Sequence, residues 1–147
     1  MKHFIFTIIL FATLLMANAL QFSQCSGNYP NPVNVSILPD PPIFGQPVEV
    51  FISIMAYTTV EVGAYVDIQV NNPDWVFPFT FQQDICNDNY VKNCPISDTY
   101  HFNYPYYFLV GSKTLTVNIK ARLVNPDNTI LSCIDGSVTI QAPVSQK

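Results

Sequence analysis

Three segments alternate apolar and polar residues with a period of two, and this pattern constrains the fold more than any other feature of the chain. In "TLTVNIKARLV", residues 114–124, Leu115 and Val117 fall on one face while Thr116 and Asn118 fall on the other. The segments "PVEVFISIMAY" and "EVGAYVDIQV" repeat the alternation. A period of two is typical of a β-strand that buries one face and exposes the other.

Four weaker apolar runs accompany these segments: "VNVSIL", "WVFPFTFQ", "TYHFNYPYYFLV" and "TILSCIDGSVTIQ". Turn-forming stretches separate the runs. The stretch "NPDN" between "TLTVNIKARLV" and "TILSCIDGSVTIQ" predicts a tight hairpin. No amphipathic helical stretch stands out. Seven short strands divided by turns predict an all-β fold, an antiparallel β-sandwich. Pro78 and Pro105 interrupt two of the runs and predict edge strands or bulged loops, because proline cannot donate a ladder hydrogen bond.

The first residues predict a secretory signal peptide. Phe4 to Met16 are apolar or threonine, and the small residues "ANA" follow at Ala17 to Ala19. The run is too short to span a membrane, so we expect cleavage of residues 1–19 and a single domain over residues 20–147. The expected location is outside the cell or in the lumen of the endomembrane or vacuolar system.

Charge and motifs exclude several classes of function. The formal net charge is −4, and the basic residues are too few and scattered to follow a phosphate backbone, so no nucleic-acid partner is expected. The sequence contains no HExxH, GxSxG or glycine-rich phosphate loop. His101 has no acidic or nucleophilic neighbour and is interpreted as a structural or surface residue. We therefore expect no enzymatic activity and no cofactor.

The four cysteines, Cys25, Cys86, Cys94 and Cys133, follow the predicted signal peptide. An even number in an oxidising compartment predicts two disulfides, and spacing alone leaves three pairings open. The segment "CNDNYVKNC" lacks the two-residue spacing of a zinc ribbon, so no metal site is expected. The triplet "NVS" makes Asn34 a candidate for N-glycosylation.

Eleven aromatic residues lie from Trp75 to Phe108, and all but Tyr90 fall in the two proline-interrupted runs. They could simply fill the core. Alternatively, edge strands broken by Pro78 and Pro105 let the sheets separate and open an apolar cavity that suits a lipid tail or a sterol.

The order of several segments resembles the ML (lipid-recognition) domain family. These segments are "PDPPIFGQPVEV", "VGAYVDIQV", "DICNDNYVKNCPI" and "LVNPDNTILSCIDGSVTI", and together they span about Cys25 to Ile140. The closer branch resembles fungal phosphatidylglycerol/phosphatidylinositol transfer proteins. The soluble sterol carriers of the Niemann–Pick type C group are a more distant branch. Those carriers usually have a further early disulfide, whose cysteines are absent here.

The resemblance implies an immunoglobulin-like sandwich with an internal apolar cavity and no catalysis. It also implies disulfides Cys25–Cys133 and Cys86–Cys94. By the similarity of "WVFPFTF" to a cavity segment of the sterol carriers, Phe77 and Phe79 lie at the entrance. The predicted lipid-binding residues are Phe51, Val66, Phe77, Phe79, Tyr104, Tyr106, Phe108, Val117 and Ile119.

The predicted function is binding of a phospholipid, of the phosphatidylglycerol or phosphatidylinositol class, and its transfer between membranes. The protein is expected to act as a monomer that contacts membranes transiently. One alternative is a sterol carrier of the same fold. Another is a secreted protein-interaction domain whose core is filled.

Overall fold

The computed structural model of the chain describes residues 22–86, 94–107 and 111–143. The predicted signal peptide and Phe108 lie outside the described residues. All regular structure within these ranges is β-strand. The eight strands are β1 (Ser23–Gln24), β2 (Val33–Leu38), β3 (Pro47–Met55), β4 (Tyr65–Asn71), β5 (Phe79–Asp84), β6 (Thr99–Tyr107), β7 (Leu115–Val124) and β8 (Ile130–Ile140). Among the described residues there is no helix long and apolar enough to cross a membrane.

The strands form two antiparallel sheets. One has the order β1-β8-β7-β4-β5 and the other the order β2-β3-β6. The sheets approach each other at β2 and β8, where Ile37 packs in the same apolar cluster as Val138. The predicted all-β sandwich is therefore confirmed.

Two strands begin later than the alternation predicts, and turns explain both differences. Before β4, Gly63 has a φ of +88° and the Ala64 N–H donates to the Glu61 carbonyl over 3.1 Å, so residues 61–64 form a turn. Before β5, the Trp75 N–H donates to the Asn72 carbonyl over 3.0 Å. The short β1 was not predicted, since two residues are too few to show a period.

Both proline-interrupted runs form edge strands, as predicted. β5 lies at one edge of the five-stranded sheet, and β6 lies at one edge of the three-stranded sheet. Pro105 sits within β6 opposite Glu49 of β3, and Pro78 immediately precedes β5. A proline is tolerated there because an edge strand has one side that pairs with no neighbour.

The predicted hairpin joins β7 to β8. The Asn125 N–H donates to the Thr129 carbonyl and the Asn128 N–H donates to the Asn125 carbonyl, each over 2.9 Å. Asn128 adopts a left-handed φ of 67°, a conformation that asparagine tolerates better than most residues. The sequence "NPDN" thus closes a short turn, and the strands on either side pair along their length.

The core consists of two separate apolar clusters, one toward each end of the sandwich. The first cluster contains Ile54, Val60, Ala64 and Leu131, and it lies toward what we term the disulfide end, formed by residues 56–64, 85–86, 94–98 and 125–129. The second cluster contains Ile37, Val48, Val117, Val138 and Ile140. It lies toward what we term the aromatic end, formed by residues 39–46, 72–78 and 111–114.

The structure joins Cys25 to Cys133 and Cys86 to Cys94. This is the pairing implied by the resemblance. The first bridge links the N-terminal segment, which contains β1, to strand β8, and its cysteines are 108 positions apart in sequence. The second bridge closes the connection between β5 and β6 at the disulfide end.

Candidate functional site

The aromatic residues of β5 lie on the inner face of the five-stranded sheet. Phe79 pairs with Val70 of β4, and Phe81 pairs with Ile68, so all four side chains share one face. Val70 packs against the second core cluster, which identifies that face as the inner one. The two phenylalanine rings are 5.6 Å apart between centroids and inclined by 46°, a tilted aromatic contact.

The tyrosines of β6 lie on the inner face of the opposite sheet. Tyr104 pairs with Val50 and Tyr106 pairs with Val48, whose side chains belong to the second cluster or pack against it. Because paired residues point to the same side of a sheet, both tyrosines face the five-stranded sheet. The aromatic residues of the two edge strands therefore face the same inter-sheet space.

Apolar residues at the centre of the inner face remain partly accessible. Ile68 of β4 pairs with Ala121 of β7, and both strands are flanked by neighbours on each side. Both residues are only half-buried and belong to neither core cluster. A residue in the middle of a filled sandwich is surrounded by neighbouring side chains and loses almost all its exposure. Ile68 and Ala121 therefore differ from the fully buried residues of the two clusters.

The aromatic end carries an exposed apolar loop between β4 and β5. Val76 is 86% exposed and Phe77 is 79% exposed, beside the partly exposed Trp75. The buried Asn72 anchors this loop. Its side-chain oxygen accepts the Asp74 N–H over 2.8 Å, and its side-chain nitrogen donates to the Thr116 carbonyl over 2.6 Å.

At the disulfide end, buried asparagines hold the loop between β3 and β4. The Asn31 side chain donates to the Thr58 carbonyl and accepts the Thr58 N–H, both over 2.7 Å. Asn125 accepts the Glu61 N–H over 3.0 Å and donates to the Thr59 carbonyl over 3.1 Å. These bonds pair the two buried asparagine side chains with the loop backbone and so fix the loop over the first cluster.

Charged groups lie away from the inner face. Arg122 pairs with Asp67 on the outer face of the five-stranded sheet. The Thr129 N–H, which donates to the Asp127 carboxylate over 2.9 Å in the β7–β8 turn, lowers the pKa of that carboxyl. Among the described residues, no three His, Cys, Asp or Glu side chains are close enough to hold a metal ion.

The predicted lipid-binding residues occupy three kinds of position. Phe79, Tyr104 and Tyr106 lie on inner faces of the edge strands, as described above. Phe77 lies in the exposed loop at the aromatic end. Val66 and Ile119 are half-buried inner-face residues that pack against the first and second cluster respectively. Val117 is buried within the second cluster. Phe108 lies outside the described residues.

Phe51 lies on the outer face of the three-stranded sheet. It alternates with Val50 and Ile52, which face the core, and it lines a surface depression together with Ser53 and His101. We therefore leave Phe51 out of the inter-sheet lining proposed below.

Three further inner-face residues were not among the predicted lipid-binding residues. Ile68 and Ala121 lie on the central strands β4 and β7, and Phe81 lies beside Ile68 on the edge strand β5. Each lies in an apolar run, but the sequence alone does not show which runs become neighbours. Asn34, the candidate glycosylation residue, is exposed on β2, and its modification stays a prediction.

Comparisons with known proteins agree with this architecture. The solved structure of a Niemann–Pick type C2 protein from the Japanese carpenter ant is similar, with a TM-score of 0.63 and 16% identity over 82% of this chain and 99% of that chain. The C-terminal domain of wzt is also similar, with a TM-score of 0.53 and 10% identity over 86% of this chain and 80% of that chain. At these identities the likeness concerns the fold.

The sequence itself gives the family. No curated protein sequence matches the chain significantly. The family model for the ML domain, however, matches residues 19–140, which is most of the chain. With the sandwich fold and the two disulfides in place, the chain belongs to the ML-domain family of lipid-recognition proteins.

Proposed function

We propose that the protein binds a phospholipid between its two sheets and transfers it between membranes. The observation that carries this proposal is the partly accessible apolar inner face at Ile68 and Ala121, flanked on one side by the aromatic edge strand β5 and faced by the tyrosines of β6. An acyl chain that enters this space removes apolar surface from water. Each buried CH₂ contributes about 0.8 kcal/mol, so one well-buried chain supplies most of the affinity.

The lipid enters from the side where β5 and β6 form the sheet edges. The described strands approach across the two sheets at β2 and β8, and no comparable approach joins β5 to β6. Phe79 and Tyr106 lie on this side, toward the aromatic end, and remain substantially exposed. The acyl chains occupy the space beside Phe81 and Tyr104, and the polar headgroup stays at the mouth in contact with water.

The exposed loop of Trp75, Val76 and Phe77 contacts the membrane during transfer. Aromatic rings with a polar edge suit the interface between headgroups and acyl chains. The chain carries a formal net charge of −4, so attraction to anionic lipids does not drive the contact. The contact is apolar and transient, as exchange of a carried lipid requires.

The ligand class is proposed as phosphatidylglycerol or phosphatidylinositol, and a sterol is the alternative for the same space. The protein-interaction alternative requires a filled core. The partial accessibility of Ile68 and Ala121 argues against it. We also propose that residues 1–19 are cleaved and that the mature monomer works outside the cell or in a lumenal compartment, where its disulfides persist.

The entrance is tested by matched substitutions at opposite ends of the sandwich. Phe77 is 79% exposed at the aromatic end, and Tyr57 is 76% exposed at the disulfide end. Phe77→Asp should abolish both binding and vesicle-to-vesicle transfer of a fluorescent phospholipid, because it places a charge where the acyl chain enters. Tyr57→Asp should leave both unchanged, and circular dichroism should show both variants folded.

Binding that survives Phe77→Asp would contradict the entrance. Equal losses in the two variants would show a general effect of surface charge. The ligand class is tested by extracting the lipid that co-purifies with the protein. Recovery of phospholipid supports the proposal, whereas recovery of sterol alone supports the alternative.

A further inference from the structure

The outer face of the three-stranded sheet carries a depression of ≈ 380 Å³ far from the inter-sheet space. The exposed surface of its lining is mostly apolar, although Phe51 is the single large apolar side chain that points into it. The side chains on this face are Asn34, Ser36, Phe51, Ser53, His101 and Asn103. Phe51 is 36% exposed there, so its ring is accessible to a ligand. A ligand that covers the ring removes apolar surface from water.

The glycosylation triplet lies on the rim of the same depression. Asn34 pairs with Ser53, and Ser36 pairs with Phe51, so Phe51 is the diagonal neighbour of Asn34 across the two strands. Diagonal neighbours on a sheet face lie about 7–8 Å apart, within reach of long side chains. β2 is an edge strand, and Asn34 is exposed, so a group on its side-chain nitrogen can extend over the ring.

The geometry points to an N-linked glycan on Asn34 whose first N-acetylglucosamine stacks on Phe51. A pyranose has a face of C–H groups that packs on an aromatic ring, while its hydroxyl and acetamido groups need polar partners. His101 and Asn103 supply such partners on β6, on the far side of the ring, and Ser53 supplies one directly opposite Asn34. The Asn103 side chain also donates to Glu49 over 3.3 Å. The depression is thus a docking surface for the chain's own glycan.

The modification requires a lipid diphosphate-linked oligosaccharide, the donor used in the secretory pathway. The Asn34 side-chain nitrogen forms a bond to the anomeric carbon of the sugar. The bond from that carbon to the diphosphate oxygen breaks, and both electrons leave on the lipid diphosphate. The amide nitrogen loses one proton. Asn34 is a surface acceptor, as N-glycosylation requires.

The first test is made on the full chain secreted from a eukaryotic host. Intact mass spectrometry should show a glycan on the protein that is absent from Asn34→Gln and from Ser36→Ala. After trimming to a single N-acetylglucosamine, proton NMR should show the sugar ring signals shifted upfield by the Phe51 ring. Those signals should return to ordinary positions in Phe51→Leu, which keeps an apolar side chain without a ring.

The second test is a double-mutant cycle on Asn34→Gln and Phe51→Ala. Loss of the glycan should raise the unfolding equilibrium constant by up to about fivefold when Phe51 is present, the upper range of a cross-strand pair. It should change that constant little when Phe51 is alanine. Tyr57→Ala, which removes an exposed aromatic residue outside the depression, should leave the glycan effect intact.

Two results overturn the inference. One is an unmodified Asn34 in the secreted protein. The other is a glycan that shows no upfield shift and the same effect on unfolding with and without Phe51. Neither result bears on lipid binding, because the depression and the inter-sheet space lie on opposite faces of β3.

Discussion

The two ends of the sandwich are built from similar loops but differ in what they do with apolar surface. At the disulfide end, Val60 and Ala64 are fully buried, and two buried asparagines satisfy the loop backbone above them. At the aromatic end, the loop at Val76 and Phe77 exposes most of its apolar surface to water. Tyr57 and Val62 are also exposed at the disulfide end, but the loop that carries them is held by those asparagine hydrogen bonds and buries Val60.

The difference assigns stability and function to different parts of one small domain. A protein of this size has a marginal free energy of unfolding. Because an exposed aromatic loop contributes little to it, the buried clusters and the disulfides must supply it. Asn72 fixes the base of that loop, while its tip remains free of tight packing. The proposed ligand space lies between the two clusters, at Ile68 and Ala121.

Removing the disulfides gives the largest expected effect. In the chain-entropy model, loss of Cys25–Cys133 costs about 5 kcal/mol of unfolding free energy, and loss of Cys86–Cys94 costs about 2.5 kcal/mol. Paired Cys→Ala variants and urea denaturation measure both values. The Cys86→Ala/Cys94→Ala variant should still bind fluorescent phospholipid below its unfolding transition, because its bridge lies away from the aromatic end.

Loss of lipid binding in the folded Cys86→Ala/Cys94→Ala variant would contradict the assignment of stability to the disulfide end and ligand binding to the aromatic end. It would show that the β5–β6 connection shapes the ligand space from the disulfide end. A larger loss of stability for this bridge than for Cys25–Cys133 would contradict the loop-length argument.

Two alanines on neighbouring parts of the sandwich test for unfilled space. Ala64 is fully buried in the first cluster, so Ala64→Leu should overpack it and cost about 1–3 kcal/mol of unfolding free energy. Ala121 is half-buried on the inner face, so Ala121→Leu should cost little. The same change should weaken phospholipid binding in a fluorescence titration, because the new side chain occupies the ligand's space.

Similar destabilisation at both alanines would indicate a filled core and favour the protein-interaction alternative. Stability that survives Ala121→Leu without any loss of lipid binding would place the ligand elsewhere. The two measurements together separate the open part of the inner face from the closed part.

The fold was predictable because the alternation of apolar and polar residues is a property of each strand by itself. The alternation in β3, β4 and β7 can be read from the chain without knowing which strands pair. Pro78 and Pro105 likewise mark edge strands by their own chemistry. The late starts of β4 and β5 were not predictable in this way, since the turns before them override apolar residues such as Val62 and Trp75.

The site was predictable only in part, because it depends on distances between sheets. The rings of Phe79, Tyr104 and Tyr106 suggested apolar surface, and the register places them toward one space. Phe51 shows that residue type alone does not identify a lining residue. It follows the inward-facing Val50 in the strand, so its ring points to the outer face. Ile68 and Ala121 look like ordinary core residues in sequence, and their partial accessibility depends on what the opposite sheet places against them.

The smallest expected effect lies at the β7–β8 turn of the disulfide end. Hydrogen bonds from Thr129, first that of its N–H, lower the pKa of Asp127 below the ordinary value of 3.8. The ionised carboxylate therefore favours the folded state above pH 3.8, and this contribution is lost as the pH falls through the lowered pKa of the folded protein. Asp127→Asn keeps an acceptor oxygen but cannot titrate.

Urea denaturation of both proteins at a series of pH values measures this contribution. The difference in unfolding free energy between the wild type and Asp127→Asn should be constant near neutral pH and should shrink in acid. Because Asp127 is fully exposed, the change should be slight, and phospholipid binding at neutral pH should be identical in the two proteins. A difference that grows in acid would mean that the turn binds the protonated carboxyl more tightly. In that case the hydrogen bond from Thr129 to the ionised Asp127 would not stabilise the β7–β8 turn.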